Sequence, residues 1–319
     1  MGTGGPGRRS LRSLCPGLAD DAPLGLTDRK PSMLKQRLIF GTLMIVAIVA
    51  LLAADRRLDR SDWLADLLPG AARPRGALFT LLVGVLTLAA SAELYRMARA
   101  KGLRPLGGVG ALAAAALAVS PFVARLDDRL AMLPLWVLAF AVMAVFFAQA
   151  AGRRTDNAIA NIAATLLAVG YLGGLALFAV KIRLDHHTVG LLAYLAAVKF
   201  TDIGAWAAGV RFGRHKMIPW LSPGKSWEGM AGGTAAAITV SLAIGLPSGL
   251  FGPWQAVVFG LVLAPAGQLA DLAESLLKRD SGLKDSGAVV PAFGGLLDVL
   301  DSPLGAAPVG YLLLGLLAC

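Results

Sequence analysis

Cysteine, histidine and charge are all scarce in this chain. Its two cysteines, Cys15 and Cys319, stand at opposite ends of 319 residues, which leaves no CxxC pair and no disulfide framework. The three histidines are poor ligand candidates, because His186 and His187 are adjacent and so point different ways on a helix, and His215 stands alone. Only 16% of residues are charged against 56% hydrophobic, and the mean hydropathy is +0.68, which excludes an ordinary soluble domain. The formal charge of +10 does not mark a nucleic-acid partner, because the basic residues are spread over short links between apolar runs.

Those runs, each roughly 17 to 25 residues with almost no charge, are long enough to cross a hydrocarbon core as helices. They fall at 38–54, 77–94, 106–124, 130–150, 157–180, 189–209, 230–246, 250–269 and 303–318. The chain is therefore expected to be an all-α integral membrane protein with about nine transmembrane helices. Residues 1–37, rich in Gly, Pro, Arg and Asp, are expected to form a disordered basic cytosolic tail, and 38–319 a polytopic membrane domain. The run at Leu38 has no small-residue cleavage site after it and is expected to be a permanent anchor. With the N-terminus cytosolic, 20 Lys and Arg residues fall inside and 9 outside. That asymmetry supports a cytosolic N-terminus and puts 210–229 and 270–302 on the cytosolic face. No internal repeat of the transporter kind is visible.

Residues 271–302 break the composition of the rest. Asp271, Glu274, Asp280, Asp285, Asp298 and Asp301 oppose only Lys278, Arg279 and Lys284. Clustered carboxylates beside a membrane suit Mg²⁺, which takes oxygen ligands and shares them with substrate phosphates. On a helix, Glu274, Ser275 and Lys278 lie within about 60° of Asp271 and share its face, and Asp298 and Asp301 also share a face. Asp271, Asp298 and Asp301 then converge on one or two metal ions; Glu274 and Lys278 read equally as an ordinary ion pair. Gly294-Gly295 is either a plain turn or a place where backbone N–H groups approach phosphate.

A second rich segment runs from Lys199 to Gly229. Asp202 within an apolar run is costly unless it faces protein, water or a partner, and Lys199 is a candidate partner. Arg211, Arg214, Lys216 and Lys225 make the following stretch basic, as a triphosphate would require. Gly224-Lys225-Ser226 is not a P-loop, because Pro219 stands where the first glycine is needed.

These residues resemble a known family, the phosphatidate cytidylyltransferases. Ser275, Lys278, Arg279, Lys284, Asp285, Gly287, Pro291, Gly294, Gly295, Asp298 and Asp301 match its C-terminal signature at the same spacing, with Asp271-Leu-Ala-Glu274-Ser275 as the lead-in. Ser222 to Gly229 (SPGKSWEG) and Asp202-Ile-Gly-Ala-Trp are similar to its preceding motifs, and Glu93-Leu-Tyr-Arg-Met to an early one. Three positions depart: Ala292 and Phe293 replace Gly-His, and Val299 replaces an arginine, which removes a bidentate phosphate donor. The resemblance implies a catalytic domain that transfers a cytidylyl group from CTP to phosphatidate, releasing pyrophosphate. It implies Mg²⁺ at Asp271, Asp298 and Asp301, phosphate clamping by Lys225, Lys278, Arg279 and Lys284, and ligand contacts from Asp202, Ser222, Ser275, Asp285, Gly294 and Gly295. A homodimer in the bacterial inner membrane, with its site facing the cytosol and no nucleic acid, completes the expectation. The rival readings are a CTP-dependent polyprenol or dolichol kinase, an ether-lipid cytidylyltransferase, and a non-catalytic lipid transporter or binding relative.

Overall fold

The computed structural model describes residues 31–60, 75–153, 155–287 and 294–318, with side chains from residue 41 onward. The elements, in order, are α1 (Pro31–Leu58), α2 (Ala77–Ala100), α3 (Gly107–Ala124), α4 (Leu133–Ala151), α5 (Ala158–Leu167), α6 (Gly174–Asp185), α7 (His187–Phe212), β1 (Lys216–Ile218), β2 (Ser222–Ser226), α8 (Trp227–Ser248), α9 (Pro253–Asp280) and α10 (Leu297–Leu317). A π-helical turn, Ala168–Gly173, joins α5 to α6, so Ala158–Asp185 forms one rod. Among the described residues, eight such rods are long and apolar enough to span a bilayer, and α1 carries the further apolar run. The chain is an all-α integral membrane protein, with one short hairpin among the described residues.

Helix ends differ from the apolar runs in a systematic way. At 1.5 Å per residue, the 26 residues of α7 and the 28 of α9 extend roughly 40 Å, about 10 Å beyond a hydrocarbon core. Their last turns carry polar residues out of the apolar layer without ending the helix. Asp271 to Asp280 is therefore the continuation of α9, and Asp298 and Asp301 lie in the first turns of α10, not in a loop. Likewise α1 begins at Pro31, so helix takes in the last residues assigned to the tail; residues 1–30 lie outside the described residues. The antiparallel β1–β2 hairpin, with an irregular register between Lys216 and Ile218, was not expected from sequence.

Small residues set the packing that positions the site. Without a hydrophobic drive between helices in lipid, close approach and good contact decide which helices associate. Along α7 and α8, Gly204, Ala205 and Ala208 face Gly229, Gly232 and Gly233, and a Cβ at Gly233 would stand 2.7 Å from the Thr201 carbonyl. A Cβ on Gly232 would collide with Ala208. Gly232→Leu is thus expected to separate α7 from α8 at a cost of about 1–3 kcal/mol. A wild-type melting temperature in detergent for that variant would contradict this packing.

At the opposite end of the bundle, Arg183 of α6 joins α1 to α2. Its guanidinium pairs with Asp55 at 2.7 Å and with Asp59. Asp55 also accepts from the Leu78 N–H at 2.9 Å, and Asp59 from the Gly76 N–H at 2.9 Å, so the two carboxylates cap the start of α2.

Candidate active site

Four helices, α7 to α10, and the hairpin line a cavity of about 380 Å³. Lys199 and Asp202 enter from α7, Ser222 and Lys225 from the hairpin, Asp271 and Lys278 from α9, and Asp298 and Asp301 from α10. The hairpin is anchored where α8 begins: Ser226 ends β2 and caps α8 by accepting from the Gly229 N–H at 3.1 Å.

Within the cavity acids and ammonium groups alternate. Carboxylate oxygens of Asp271, Glu274 and Asp301 lie within 4.8 Å of one another. Lys225 pairs with Asp271 at 2.7 Å and donates to the Gln268 carbonyl at 2.9 Å. Lys278 sits between Glu274 at 2.5 Å and Asp298 at 2.7 Å. Lys199 is 3.8 Å from Asp202 and donates to the Val299 carbonyl at 2.9 Å. Both ion pairs read from sequence, Glu274–Lys278 and Lys199–Asp202, are present; Lys199, Asp202 and Lys278 line the cleft, and Glu274 holds Lys278 from the buried side.

Glu274 is the most constrained of the acids. It is fully buried: the Lys278 ammonium reaches Oε2, while Oε1 has no hydrogen-bond donor among the described residues. Leaving a buried carboxylate oxygen without a donor is costly, and two further carboxylates beside it add repulsion. This is the arrangement expected of a site that takes a hard cation with oxygen ligands. The geometric cluster shares Asp271 and Asp301 with the ligand set expected from sequence. Asp298 stands to one side, accepting from the Gly295 N–H at 2.7 Å and the Ser286 N–H at 3.1 Å besides Lys278.

The remaining candidates divide. Ser275 donates to Asp271 at 3.4 Å and Arg279 lies 3.5 Å from the Leu221 carbonyl, both behind the cavity wall. Lys284 and Asp285 are exposed and outside the lining. Gly294 holds φ +102°, where a side chain is strained and would approach Asp298 Oδ2 at 2.8 Å. Pro291, Ala292 and Phe293 lie outside the described residues.

Two residues that composition and spacing did not single out complete the surroundings. Glu93 of α2 is buried and accepts from Ser286 Oγ at 2.9 Å, Leu296 N–H at 3.0 Å and Leu297 N–H at 2.9 Å. It therefore caps α10, whose own N-terminus has no side-chain cap, and glycine at 287 and 295 leaves room for it. Arg96, one turn on, donates to the Ser286 carbonyl. Glu93→Gln replaces an acceptor by an amide donor facing N–H groups, so a loss of about 1.5–3 kcal/mol is expected, together with reduced turnover as Asp298 and Asp301 shift. Thermal denaturation in detergent checks this; unaltered melting would mean that the cap is dispensable. The second residue is Tyr171, on the π-helical turn, whose buried hydroxyl has no partner among the described residues and lies in the field of Asp301, Glu274 and Asp271. Such turns recur at functional sites.

Fold and cleft together define a polytopic helical membrane protein whose one end gathers carboxylates and lysines around a single cavity. Residues 35–317, nearly the whole chain, match the sequence profile described as the cytidylyltransferase family, and the chain belongs to that family. Among its relatives, a phosphatidate cytidylyltransferase of Mycobacterium bovis is 41% identical over 128 residues, covering 39% of this chain and 40% of the relative. One of Mycobacterium leprae is 34% identical over 168 residues, covering 52% and 54%. One of Brucella melitensis is 43% identical over 117 residues, covering 37% and 43%. The chain thus spans about half the length, or less, of these relatives.

Proposed function

We propose that this protein transfers the cytidylyl group of CTP to phosphatidate, giving CDP-diacylglycerol and pyrophosphate. It does so in the bacterial inner membrane, with the cleft facing the cytosol. The observation that carries the reading is the cavity in which Asp271 and Asp301 stand beside Lys225, Lys278 and Lys199, with the buried Glu274 within 4.8 Å of both acids behind its wall. The names of the relatives support the substrates, and the 20 to 9 distribution of basic residues supports the orientation. A homodimer belongs to the same reading and rests on the family resemblance alone.

In the reaction, a phosphate oxygen of phosphatidate forms a bond to the α-phosphorus of CTP as the bond to the β-phosphate breaks. Such a transfer needs positioning and neutralisation of charge. Asp271, Glu274 and Asp301 fit a divalent cation, with Mg²⁺ expected, which when bound would neutralise phosphate oxygens and polarise them as a Lewis acid. Lys225 and Lys278 are the phosphate clamps: each ammonium has three donors, and each is now held by carboxylates that a cation would also attract. Lys199 is fixed by a backbone carbonyl and Asp202, at the α7 wall of the cavity. Asp298 keeps Lys278 and the glycine turn in register. No general base is required, since a phosphate monoester with a second pKa near 6 is already largely dianionic at neutral pH.

The test is the mass of the lipid product. Purified protein given phosphatidate, an ether-lipid phosphate and a polyprenol with CTP and Mg²⁺ is expected to attach CMP to phosphatidate. A phosphorylated alcohol, CMP on the ether lipid alone, or no lipid product would overturn the reading.

A further inference from the structure

At the far end of the bundle from the cleft, the last turns of α1 and the start of α7 enclose a second cavity of about 390 Å³. Arg56, Arg57 and Arg60 form its polar wall, Leu52 and Leu192 its apolar one, and Thr188 stands at its margin. Thr188 lies in the first turn of α7 and Asp202, in the cleft, fourteen residues on, so the two sites are roughly 20 Å apart along that helix.

The three guanidinium groups have no ion pair or hydrogen bond among the described residues. The reason lies in the helical order of the α1 terminus. Asp55 and Asp59 are four apart and share one face; Arg56 and Arg60 are also four apart and share another, with Arg57 next to it. Both acids are spent on Arg183 and on the N–H groups that open α2. Among the described residues, no carboxylate pairs with the arginine face. First-turn N–H groups of α7, which lack helical acceptors, add partial positive charge on the same side.

We propose that this cavity binds the phosphate headgroup of an anionic phospholipid. Guanidinium groups match phosphate oxygens with paired donors. The apolar wall decides between a lipid and a free anion: Leu52 and Leu192 continue from the arginines onto the membrane-spanning parts of α1 and α7, where an acyl chain lies. Val49, one turn below on α1, is 51% exposed and extends that path. The site is independent of the proposed reaction, since none of its residues reaches the cleft.

Native mass spectrometry of the delipidated full chain, titrated separately with phosphatidylglycerol, phosphatidylcholine and inorganic phosphate, tests this. One saturable phosphatidylglycerol adduct is expected, weakened at least about tenfold in Arg56→Gln/Arg57→Gln/Arg60→Gln. It should persist in Lys225→Met, which removes a cleft ammonium and so excludes binding at the other end. Should the triple variant fail to fold, Thr188→Trp, which fills the margin and leaves the arginines in place, should weaken the adduct equally. An adduct unchanged in these variants, equal occupancy by phosphatidylcholine, or equal affinity for inorganic phosphate would each overturn the proposal.

Discussion

Glu274→Gln is expected to leave the chain folded and almost without turnover. The wild-type carboxylate is fully buried, with the Lys278 ammonium 2.5 Å from Oε2 and no donor to Oε1 among the described residues. An unsatisfied buried acceptor costs about 1–3 kcal/mol, and more when it is charged. Glutamine keeps the volume, removes one of three neighbouring negative charges, and turns a repelled oxygen into a donor for Asp271 or Asp301. Lys278 retains Asp298 at 2.7 Å. The melting temperature should therefore hold or rise. Turnover should fall by more than the roughly 100-fold that follows loss of a group one step removed from a metal. Raising the Mg²⁺ concentration should recover part of the loss. Wild-type turnover would remove Glu274 from the site, and a parallel loss of stability and activity would recast it as a structural residue. The opposite signs expected here are those of a strained functional group, where stability is given up for activity.

Arg183→Met should show the reverse pattern: a large loss of stability with chemistry intact in the molecules that remain folded. Arg183 is 1% exposed and Asp55 is 0% exposed. Removing the guanidinium leaves two carboxylates facing each other without a counter-charge, and breaking such a buried pair costs about 3–5 kcal/mol. The loss should appear as early melting and as proteolysis near α1, because the pair links α1 and α6 to the start of α2. Asp55→Asn added to Arg183→Met should restore part of the stability, since asparagine still accepts from the Leu78 N–H and carries no charge. If Arg183→Met melts like wild type, the cluster does not hold these helices together. The two substitutions act at opposite ends of the bundle, so their effects should add.

Much of this was legible in the sequence, for physical reasons that also mark where legibility stops. Runs of apolar residues report the hydrocarbon layer, so the spans appear where expected. They do not report helix ends, because α7 and α9 continue into the polar boundary, where side chains such as Asp271 and Lys278 meet water and one another. The β1–β2 hairpin is too short, and too rich in Pro and Gly, to give an alternating pattern. Asp271 and Asp301 stood out through a local excess of acid in a basic chain. Glu274 did not, because an i, i+4 partner such as Lys278 is an adequate explanation until burial is known. Glu93 caps a helix some two hundred residues away, and no local spacing can show that; only its place in a Glu-Leu-Tyr-Arg-Met motif pointed to it. The π-helical turn under Tyr171 has no sequence signature in Ala-Val-Gly-Tyr-Leu-Gly.

Cytidylyl transfer and phosphoryl transfer differ in which phosphorus of CTP reaches the lipid. Purified protein in phosphatidate-containing vesicles, given CTP labelled at the α-phosphorus in one reaction and at the γ-phosphorus in another, separates the possibilities directly. The α label should pass into the lipid fraction, and the γ label should leave in pyrophosphate in equal amount. A γ label in the lipid, or an α label that stays with soluble nucleotide, would contradict cytidylyl transfer at this cleft.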